Sequence, residues 1–268
     1  MNQDANPEAE PVEKSPAKAS AFTRARFRRP AYRFGMELVI VTLGVGLALV
    51  AQQWAEEQSW QRKARDATEA IRAEVSDQYS WAIEWRVVEP CLLAQIDILQ
   101  QRLLASGDRL DPAPVYSEPG FAFYVIRMPN RTFEEGVWQA AISDGVVSHL
   151  DRDMRQELDR AYTANRLLAD QTRENNAAYQ RLLSLTRPIP LDAGVRYSLL
   201  RDLDELRGRV ELMSHLHGQS LDNWTKAGVL PPVEPARKAL ASSGTRRFCE
   251  DHKLPLRSVT EAERPVPY

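Results

Sequence analysis

One apolar stretch constrains this chain more than any other feature of its sequence. Residues 38–51 read LVIVTLGVGLALVA, without a charged side chain and with Thr42 as the single polar one. A helix that crosses a bilayer needs about 20 predominantly apolar residues. The flanking residues extend the stretch to that length, from Phe34 to Trp54. The sequence therefore predicts one transmembrane helix over residues 34–54, with the lipid bilayer as its partner.

The charged residues on the two sides of this span predict its orientation. No acidic residue occurs between Phe22 and Gly35, whereas acidic and basic residues are mixed after Trp54. Because positive residues near a span are retained on the cytoplasmic side, we expect the N-terminus to be cytoplasmic and the chain beyond the span to lie across the membrane. The residues that determine this topology are Arg24, Arg26, Arg28, Arg29 and Arg33.

A cleaved signal peptide is the main alternative, since it also combines a basic region with an apolar core. The segment before the apolar core is long for a signal peptide, and Leu49 occupies a position at which a cleavage site prefers a small residue. An uncleaved anchor is therefore favoured, and cleavage stays open.

Charge and cysteine content limit the possible partners and indicate the compartment. The chain has 268 residues and a net charge of −2, which gives no reason to expect nucleic acid as a partner. Its two cysteines, Cys91 and Cys249, both follow the span. In an oxidising compartment such a pair is more often bonded than free, so the sequence predicts a disulfide between them.

Composition divides the chain into four segments. Residues 1–33 begin with a stretch rich in Pro, Ala, Glu and Lys that cannot bury a core, and they are expected to form a disordered, basic cytoplasmic segment. Residues 34–54 are the span, and residues 55–228 are a helical periplasmic domain. Residues 229–268 are a proline-rich, irregular tail that is tied to the domain through Cys249.

The domain is expected to begin with a long helix. Residues 55–88 contain no glycine or proline, and their apolar residues recur at spacings of three, four and seven, which is typical of a helix with one buried face. Pro90 should kink or end this helix. A second, short amphipathic helix is expected over residues 92–105.

Residues 107–131 contain four prolines and are expected to form an irregular loop. Their apolar run GFAFYVIRM, residues 120–128, is interpreted as a strand or extended segment that covers the hydrophobic end of the helices, in preference to a ligand site. The pattern from Thr132 to Glu135 is a capping box and predicts a short helix to about Ile142.

Residues 150–184 carry the clearest periodicity, with seam positions that alternate spacings of three and four, as in a heptad. Three of these positions are polar, which costs stability but fixes register and partner: Asn165, Thr172 and Asn175. Residues 192–228 repeat the pattern, with His217 in the seam. We expect His217 to be a hydrogen-bonded core histidine that faces Asn165 or Asn175.

These long helical stretches are similar in length, and a short turn joins the last two. The sequence therefore predicts an all-α protein whose transmembrane helix continues into an antiparallel bundle of long helices. In this arrangement residues 150–184 run back towards the span and residues 192–228 return. Gly228 then lies at the end of the bundle where Pro90 interrupts the first helix.

No motif of known catalytic chemistry occurs in the chain: HExxH, GxSxG, Walker and CxxC patterns are missing. His215 and His217 stand two apart, which turns them to different faces of a helix and makes them a poor metal site. We therefore expect no catalytic residue, no metal, no cofactor and no enzyme activity.

A face of small residues runs along the span. Gly44, Ala48 and Ala51 follow a small-xxx-small pattern, which lets two membrane helices approach closely. These residues are candidates for self-association, so a homo-oligomer is a possible assembly. The alternative is that small residues are simply common in membrane helices.

The span also carries a resemblance. Residues 37–54, ELVIVTLGVGLALVAQQW, together with the later Cys91-Leu92-Leu93, resemble a group of uncharacterised bacterial inner-membrane proteins. Those proteins open with a single span of the type E-L-x5-G-V-x2-A-L, followed by a long helical periplasmic region. The resemblance implies a bacterial inner membrane and a periplasmic C-terminal region, and it implies no activity.

Three hypotheses for function follow. The preferred one is a non-enzymatic, membrane-anchored interaction or scaffold module whose helical region binds an unidentified protein partner or a second copy of itself. The second is a sensing module that binds a small ligand near residues 120–128. The third is an enzyme with an unrecognised site within residues 107–145.

Overall fold

The computed structural model of this chain describes the backbone of residues 28–114, 116–117 and 123–266, and the side chains of residues 34–114 and 125–266. The described chain is predominantly helical, and it divides between Glu57 and Gln58 into two compact units. Its helices and strands, in chain order, are α1 (Arg28–Ala105), β1 (Arg109–Leu110), β2 (Tyr116–Ser117), β3 (Phe123–Tyr124), α2 (Gly136–Ser143), α3 (Arg152–Leu182), β4 (Ile189–Pro190), α4 (Ala193–Lys226), α5 (Val233–Ala241), α6 (Gly244–Asp251) and α7 (Val259–Ala262).

The apolar stretch is helical, as expected, and forms part of α1. Its most apolar window has a mean hydropathy of 2.2 and is entirely unburied. Each large apolar side chain from Phe34 to Trp54 is exposed over more than half of its surface. A helix that is apolar on all sides and packs against nothing has the composition that a bilayer solvates, and this one is long enough to cross it.

The arginines assigned to topology lie at the margin of the described chain. Arg24 and Arg26 fall outside the described residues, and Arg28, Arg29 and Arg33 belong to α1 with backbone alone described.

Pro90 does not end α1, so the expected separate helix over residues 92–105 is wrong. The helix continues through Pro90 to Ala105 because it is buried on both sides of the proline: Val88, Cys91 and Leu92 have no exposed surface. Proline lacks the N–H that would pair one turn back and crowds the carbonyls of that turn. The nearby Val87 carbonyl accepts a hydrogen bond from the Arg257 N–H at 2.9 Å.

The capping box expected at Thr132 is not formed, and α2 begins at Gly136. Its first turn is capped by another helix, since the Val137 N–H donates to Glu74 Oε2 of α1 at 3.0 Å. The expected end of this helix is confirmed: Gly145 adopts φ +73°, a left-handed conformation that glycine tolerates best, and its N–H donates to the Ile142 carbonyl at 3.1 Å.

The two long helices expected after residue 150 are confirmed as α3 and α4, each opened by an aspartate cap. They pack as an antiparallel pair. Arg181, late in α3, lies 3.7 Å from Asp202, early in α4. Asn175, further back along α3, reaches Met213, further along α4, at 2.9 Å.

The direction expected for α3 is wrong. It runs parallel to the second-unit part of α1, and α4 runs antiparallel to both. Tyr162 donates to Glu74 of α1 at 2.5 Å, whereas the Leu185 carbonyl beyond the end of α3 accepts from the Ala113 N–H at 2.7 Å, beyond the end of α1. The long connection between α1 and α3 returns to the start of the domain, where His149 stacks on Trp60 with ring centroids 4.3 Å apart.

Gly228 accordingly lies beside Arg72, whose guanidinium donates to its carbonyl at 3.2 Å, and not beside Pro90. The turn between α3 and α4 lies beside the end of α1, where β4 pairs antiparallel with β1. In the run GFAFYVIRM, β3 pairs antiparallel with β2, the chain bends at residues 125–126, and residues 120–122 fall outside the described residues.

The tail beyond residue 229 is not irregular, contrary to expectation. It contains α5, α6 and α7. Local caps explain α6 and α7: the Ser243 hydroxyl accepts from the Arg246 N–H, and Ser258 and Glu261 form a capping box. Pro235 falls in the first turn of α5, where its missing N–H costs no helical hydrogen bond.

Candidate functional site

The predicted disulfide is found between α1 and α6. Cys91 and Cys249 are bonded with Cα atoms 6.0 Å apart, and neither has exposed surface. The bond joins residues 158 positions apart in sequence. It fastens the C-terminal part of the chain to the middle of the long helix.

Two buried glutamates of α1 reinforce this attachment. Glu84 accepts a hydrogen bond from the Ser243 hydroxyl at 2.5 Å and pairs with Arg131 at 2.7 Å. Glu89 accepts from the Ser214 hydroxyl of α4 at 2.6 Å and pairs with Arg257 at 2.7 Å. Buried carboxylates require such partners.

Arg86, between these glutamates, binds the tail through carbonyl oxygens. Its guanidinium donates to the Ala262 carbonyl at 2.6 Å and to the Arg264 carbonyl. Burial lowers the pKa of this guanidinium, and repulsion from Arg257 lowers it further, whereas attraction by Glu89 raises it. Glu84, Arg86 and Glu89 thus form a polar cluster on α1, whose partners come mostly from residues 243–264.

His217 is a core residue, but its expected partners are wrong. It lies between the rings of Trp85 and Phe133, with centroids 6.0 and 5.8 Å away. Its Nδ1 has no hydrogen-bond partner among the described residues. Burial, followed by repulsion from Arg86, lowers the pKa of His217 to about 3, so the imidazole is neutral at pH 7.

Asn165 faces another helix, as expected of a seam position, and has no exposed surface. Its side-chain amide donates to Gln78 Oε1 of α1. The Gln78 amide in turn donates to the Glu134 carbonyl at 2.7 Å. The asparagine therefore ties α3 to α1 and, through Gln78, to the segment that leads into α2.

Thr172 and Asn175, the other polar seam residues, line a cavity instead of a closed seam. The cavity has a volume of about 520 Å³ and lies between α1, α3, α4 and the segment Met128–Asn130. Cavities of roughly 300–1,000 Å³ are the usual size of small-molecule sites. Its lining is half apolar and half polar but uncharged.

The apolar part of the lining comes from four parts of the chain. It is formed by Trp85 of α1, Leu183 directly after α3, Met213 of α4, and Met128 and Pro129 of the segment before α2. Trp85 is held in one orientation because its indole N–H donates to the Val210 carbonyl at 3.3 Å.

The polar part of the lining is rich in carboxamides, contributed by Asn130, Asn175, Asn176 and Gln180. Asn175 is 3% exposed, and its Nδ2 donates only to the sulfur of Met213, at 2.9 Å. A thioether is a weak acceptor. The Asn175 Oδ1 has no partner among the described residues, so a strong acceptor is left without a donor.

Thr172 presents a second acceptor one turn before Asn175. Its hydroxyl donates to the Leu168 carbonyl at 2.9 Å, so its single proton is used inside the helix. The oxygen keeps its lone pairs, which leaves it able to accept a hydrogen bond.

The segment Met128–Asn130 is a fixed wall of this cavity because both of its ends are bound to α1. Before it, the Arg127 N–H donates to Gln95 Oε1 at 2.7 Å, and the Gln95 amide donates back to the Arg127 carbonyl at 3.2 Å. After it, Arg131 pairs with Glu84.

A larger concavity of about 830 Å³ lies between α1 and the segment around His149. It is an open surface groove whose lining includes the charged side chains of Arg65, Glu69 and Asp151, so it lacks the enclosure of a small-molecule site. No group of three or more His, Cys, Asp and Glu side chains among the described residues is placed to hold a metal ion.

The small residues of the span are open to the surroundings. Gly44, Ala48 and Ala51 are exposed, and nothing lies within 4 Å of the position that a Cβ would take at Gly44.

The sequence reasoning missed how the cavity is assembled. It placed Asn175 and Thr172 on the right helix but gave no role to Asn130, which directly follows Met128 and Pro129. The sequence indication of this role was the dipeptide Pro129–Asn130, which ends the apolar run and puts a carboxamide beside it.

Comparisons of the chain with protein-family models, with curated proteins and with solved structures find no match. The fold and its exposed apolar helix therefore define the class: a predominantly helical protein with one N-terminal helix long and apolar enough to cross a membrane.

Proposed function

We propose that this chain is a single-pass protein of a bacterial inner membrane, with its N-terminus in the cytoplasm and its helical domain in the periplasm. The arginines before the span support this orientation. The fully buried disulfide supports an oxidising compartment. The pattern E-L-x5-G-V-x2-A-L supports membership of the group of inner-membrane proteins that share this span.

We propose further that the helical domain is a non-enzymatic module that binds a small molecule in the cavity between α1, α3 and α4. The observation that carries this proposal is Asn175, a 3% exposed residue that lines a cavity of small-molecule size and whose own carbonyl oxygen is buried without a partner among the described residues. An unpaired buried acceptor costs stability, and a ligand that supplies a donor would remove this cost. Residue Met128 connects this site with the ligand hypothesis for residues 120–128.

The second candidate function is an interaction or scaffold module, with a second copy or another membrane protein as its partner. The open face of Gly44, Ala48 and Ala51 favours it, since small residues allow close helix approach in a bilayer. The polar seam residues favour it less, because Asn165 is paired with Gln78 within the chain.

The full chain, purified from membranes in mild detergent, tests the two candidates. We expect a small molecule to be retained by the wild type and by Asn165→Leu, and to be absent from Asn175→Leu. The two variants remove the same side chain from buried positions of the same helix, but Asn175 alone lines the cavity. Equal retention by all three proteins, or no retained molecule together with a stable cross-linked protein partner, would overturn the ligand-binding function.

A further inference from the structure

We infer that the ligand of this cavity is an uncharged, hydroxyl-bearing ring with an apolar face, the chemistry of a neutral sugar. This inference rests on the ligand-binding function proposed above and assigns the class of molecule that the cavity accepts.

The lining favours an uncharged molecule. Among the described residues that line the cavity, none is aspartate, glutamate, lysine, arginine or histidine. A charged ligand would lose its hydration without gaining an opposite charge, and burying an unpaired charge is far more costly than burying a hydroxyl or an amide. The cavity therefore discriminates against ionised molecules of the same shape.

The acceptors favour a ligand that carries several hydrogen-bond donors. Asn175 Oδ1 has no donor, and the Thr172 oxygen has already used its proton on the Leu168 carbonyl. Residues three apart on a helix lie side by side. Neighbouring hydroxyl groups on one ring match two acceptors placed in this way once the Asn175 carboxamide turns its buried oxygen towards the cavity, whereas a molecule with only acceptors leaves both unpaired.

The other wall favours an apolar ring face. The indole N–H of Trp85 is bound to the Val210 carbonyl, so it is not free to donate to a ligand. Met128 and Met213 extend the apolar surface, and methionine adapts its shape to irregular partners. The C–H face of a sugar ring suits this wall, while its hydroxyls reach the carboxamides of Asn130 and Gln180.

Paired probes test this inference on the full chain in lipid nanodiscs by calorimetry. Glucose is compared with glucuronate and, in a second pair, with glucosamine, because each pair differs mainly in one charge. We expect the neutral member of at least one pair to bind and its charged partner to bind roughly tenfold or more weakly. A charged member that binds as tightly as the neutral one overturns the inference.

The variants localise the binding. Asn175→Leu should weaken binding of the neutral sugar by about tenfold or more, as expected for a lost buried hydrogen bond, while Asn165→Leu leaves it unchanged. Unaltered binding by Asn175→Leu overturns the assignment to this cavity. The comparison of neutral and charged probes uses the wild type alone, so it stands if a variant fails to fold.

Different experimental outcomes would contradict this inference and the proposed function. A retained molecule from membranes that is not a sugar, and that Asn175→Leu loses, overturns the ligand class but supports the ligand-binding function. No sugar binding together with no retained small molecule overturns both.

Discussion

Val266 packs directly against Gly218. Its N–H donates to the Gly218 carbonyl at 3.1 Å, and a Cβ at Gly218 would lie 2.5 Å from Val266 Cγ2. No side chain fits in this space without moving the end of the tail. Glycine in the middle of α4, which is unfavourable for a helix, is thus explained by the close approach of Val266.

A matched pair of substitutions tests this contact. Gly208→Ala, at an exposed position of the same helix with nothing within 4 Å, should stabilise the protein by about 0.5–1 kcal/mol through helix propensity. Gly218→Ala should destabilise it by about 1–3 kcal/mol, because the tail must shift. Urea unfolding of the full chain in detergent measures both, and equal effects at the two positions would contradict the packing of Val266.

His217 should make stability depend on pH in acid. The native imidazole stays neutral down to about pH 3, whereas the unfolded one takes up a proton near pH 6.5. Within this window the unfolded state binds more protons, so the free energy of unfolding falls as pH decreases, by up to about 1.4 kcal/mol per pH unit. Above pH 6.5 this contribution is constant.

The replacement His217→Leu should flatten the decline of stability between pH 6.5 and pH 4, as measured by urea unfolding at a series of pH values. His215, exposed and two residues away, supplies the control: His215→Leu should leave the slope as it is in the wild type. A slope that is the same in all three proteins would show that His217 is accessible to protons in the native state.

The contact between Asn165 and Gln78 should show strong energetic coupling. Asn165→Leu alone leaves Gln78 Oε1 buried without its donor and should cost about 1–3 kcal/mol. Adding Gln78→Met should recover part of this loss, since an apolar pair replaces the polar one while the Glu134 carbonyl loses the donor that Gln78 supplies. The exposed Asn176→Leu on the same helix is the control, and additive single effects in the cycle would contradict the hydrogen bond.

Thiol labelling tests the disulfide directly. Thiol labelling of the denatured protein should give no label before reduction and two labels per chain after it. Because the bond closes a loop of 158 residues, the chain-entropy account predicts that Cys91→Ala with Cys249→Ala costs about 4–5 kcal/mol. Two labels per chain without reductant would show that the bond is not formed.

Membrane orientation is tested with reporters. A reporter that is active only outside the cytoplasm should work when fused after Tyr268, and a cytoplasmic reporter should not. Replacement of Arg24, Arg26, Arg28, Arg29 and Arg33 with glutamine should produce mixed orientation, because the charge bias across the span is lost. An active cytoplasmic reporter after Tyr268 would reverse the proposed topology.

The features that local patterns could predict were the two long helices after residue 150 and the burial of two of their polar seam residues. Spacing alone located α3 and α4, and it identified Asn165 and Asn175 as buried. A heptad pattern reports which face is buried but not which helix covers it. The partner of Asn165 lies on α1, and the partner of Asn175 is a methionine beside a cavity.

The features that failed depended on tertiary contacts. Pro90 was expected to interrupt α1, but burial on both sides outweighs one lost hydrogen bond. The direction of α3 was inferred from its short turn to α4, whereas the long connection before it sets the direction relative to α1. The cavity escaped prediction because its lining combines residues of α1, α3, α4 and residues 128–130.

The polar cluster on α1 has a consequence for the order in which this chain folds during synthesis. Arg86 is made 176 positions before Ala262, and Glu84 is made 159 positions before Ser243. Until those later residues emerge from the ribosome, these charged groups must stay hydrated, because burying them unpaired is costly. The middle of α1 therefore cannot complete its burial while the chain grows, and final packing waits for residues made much later.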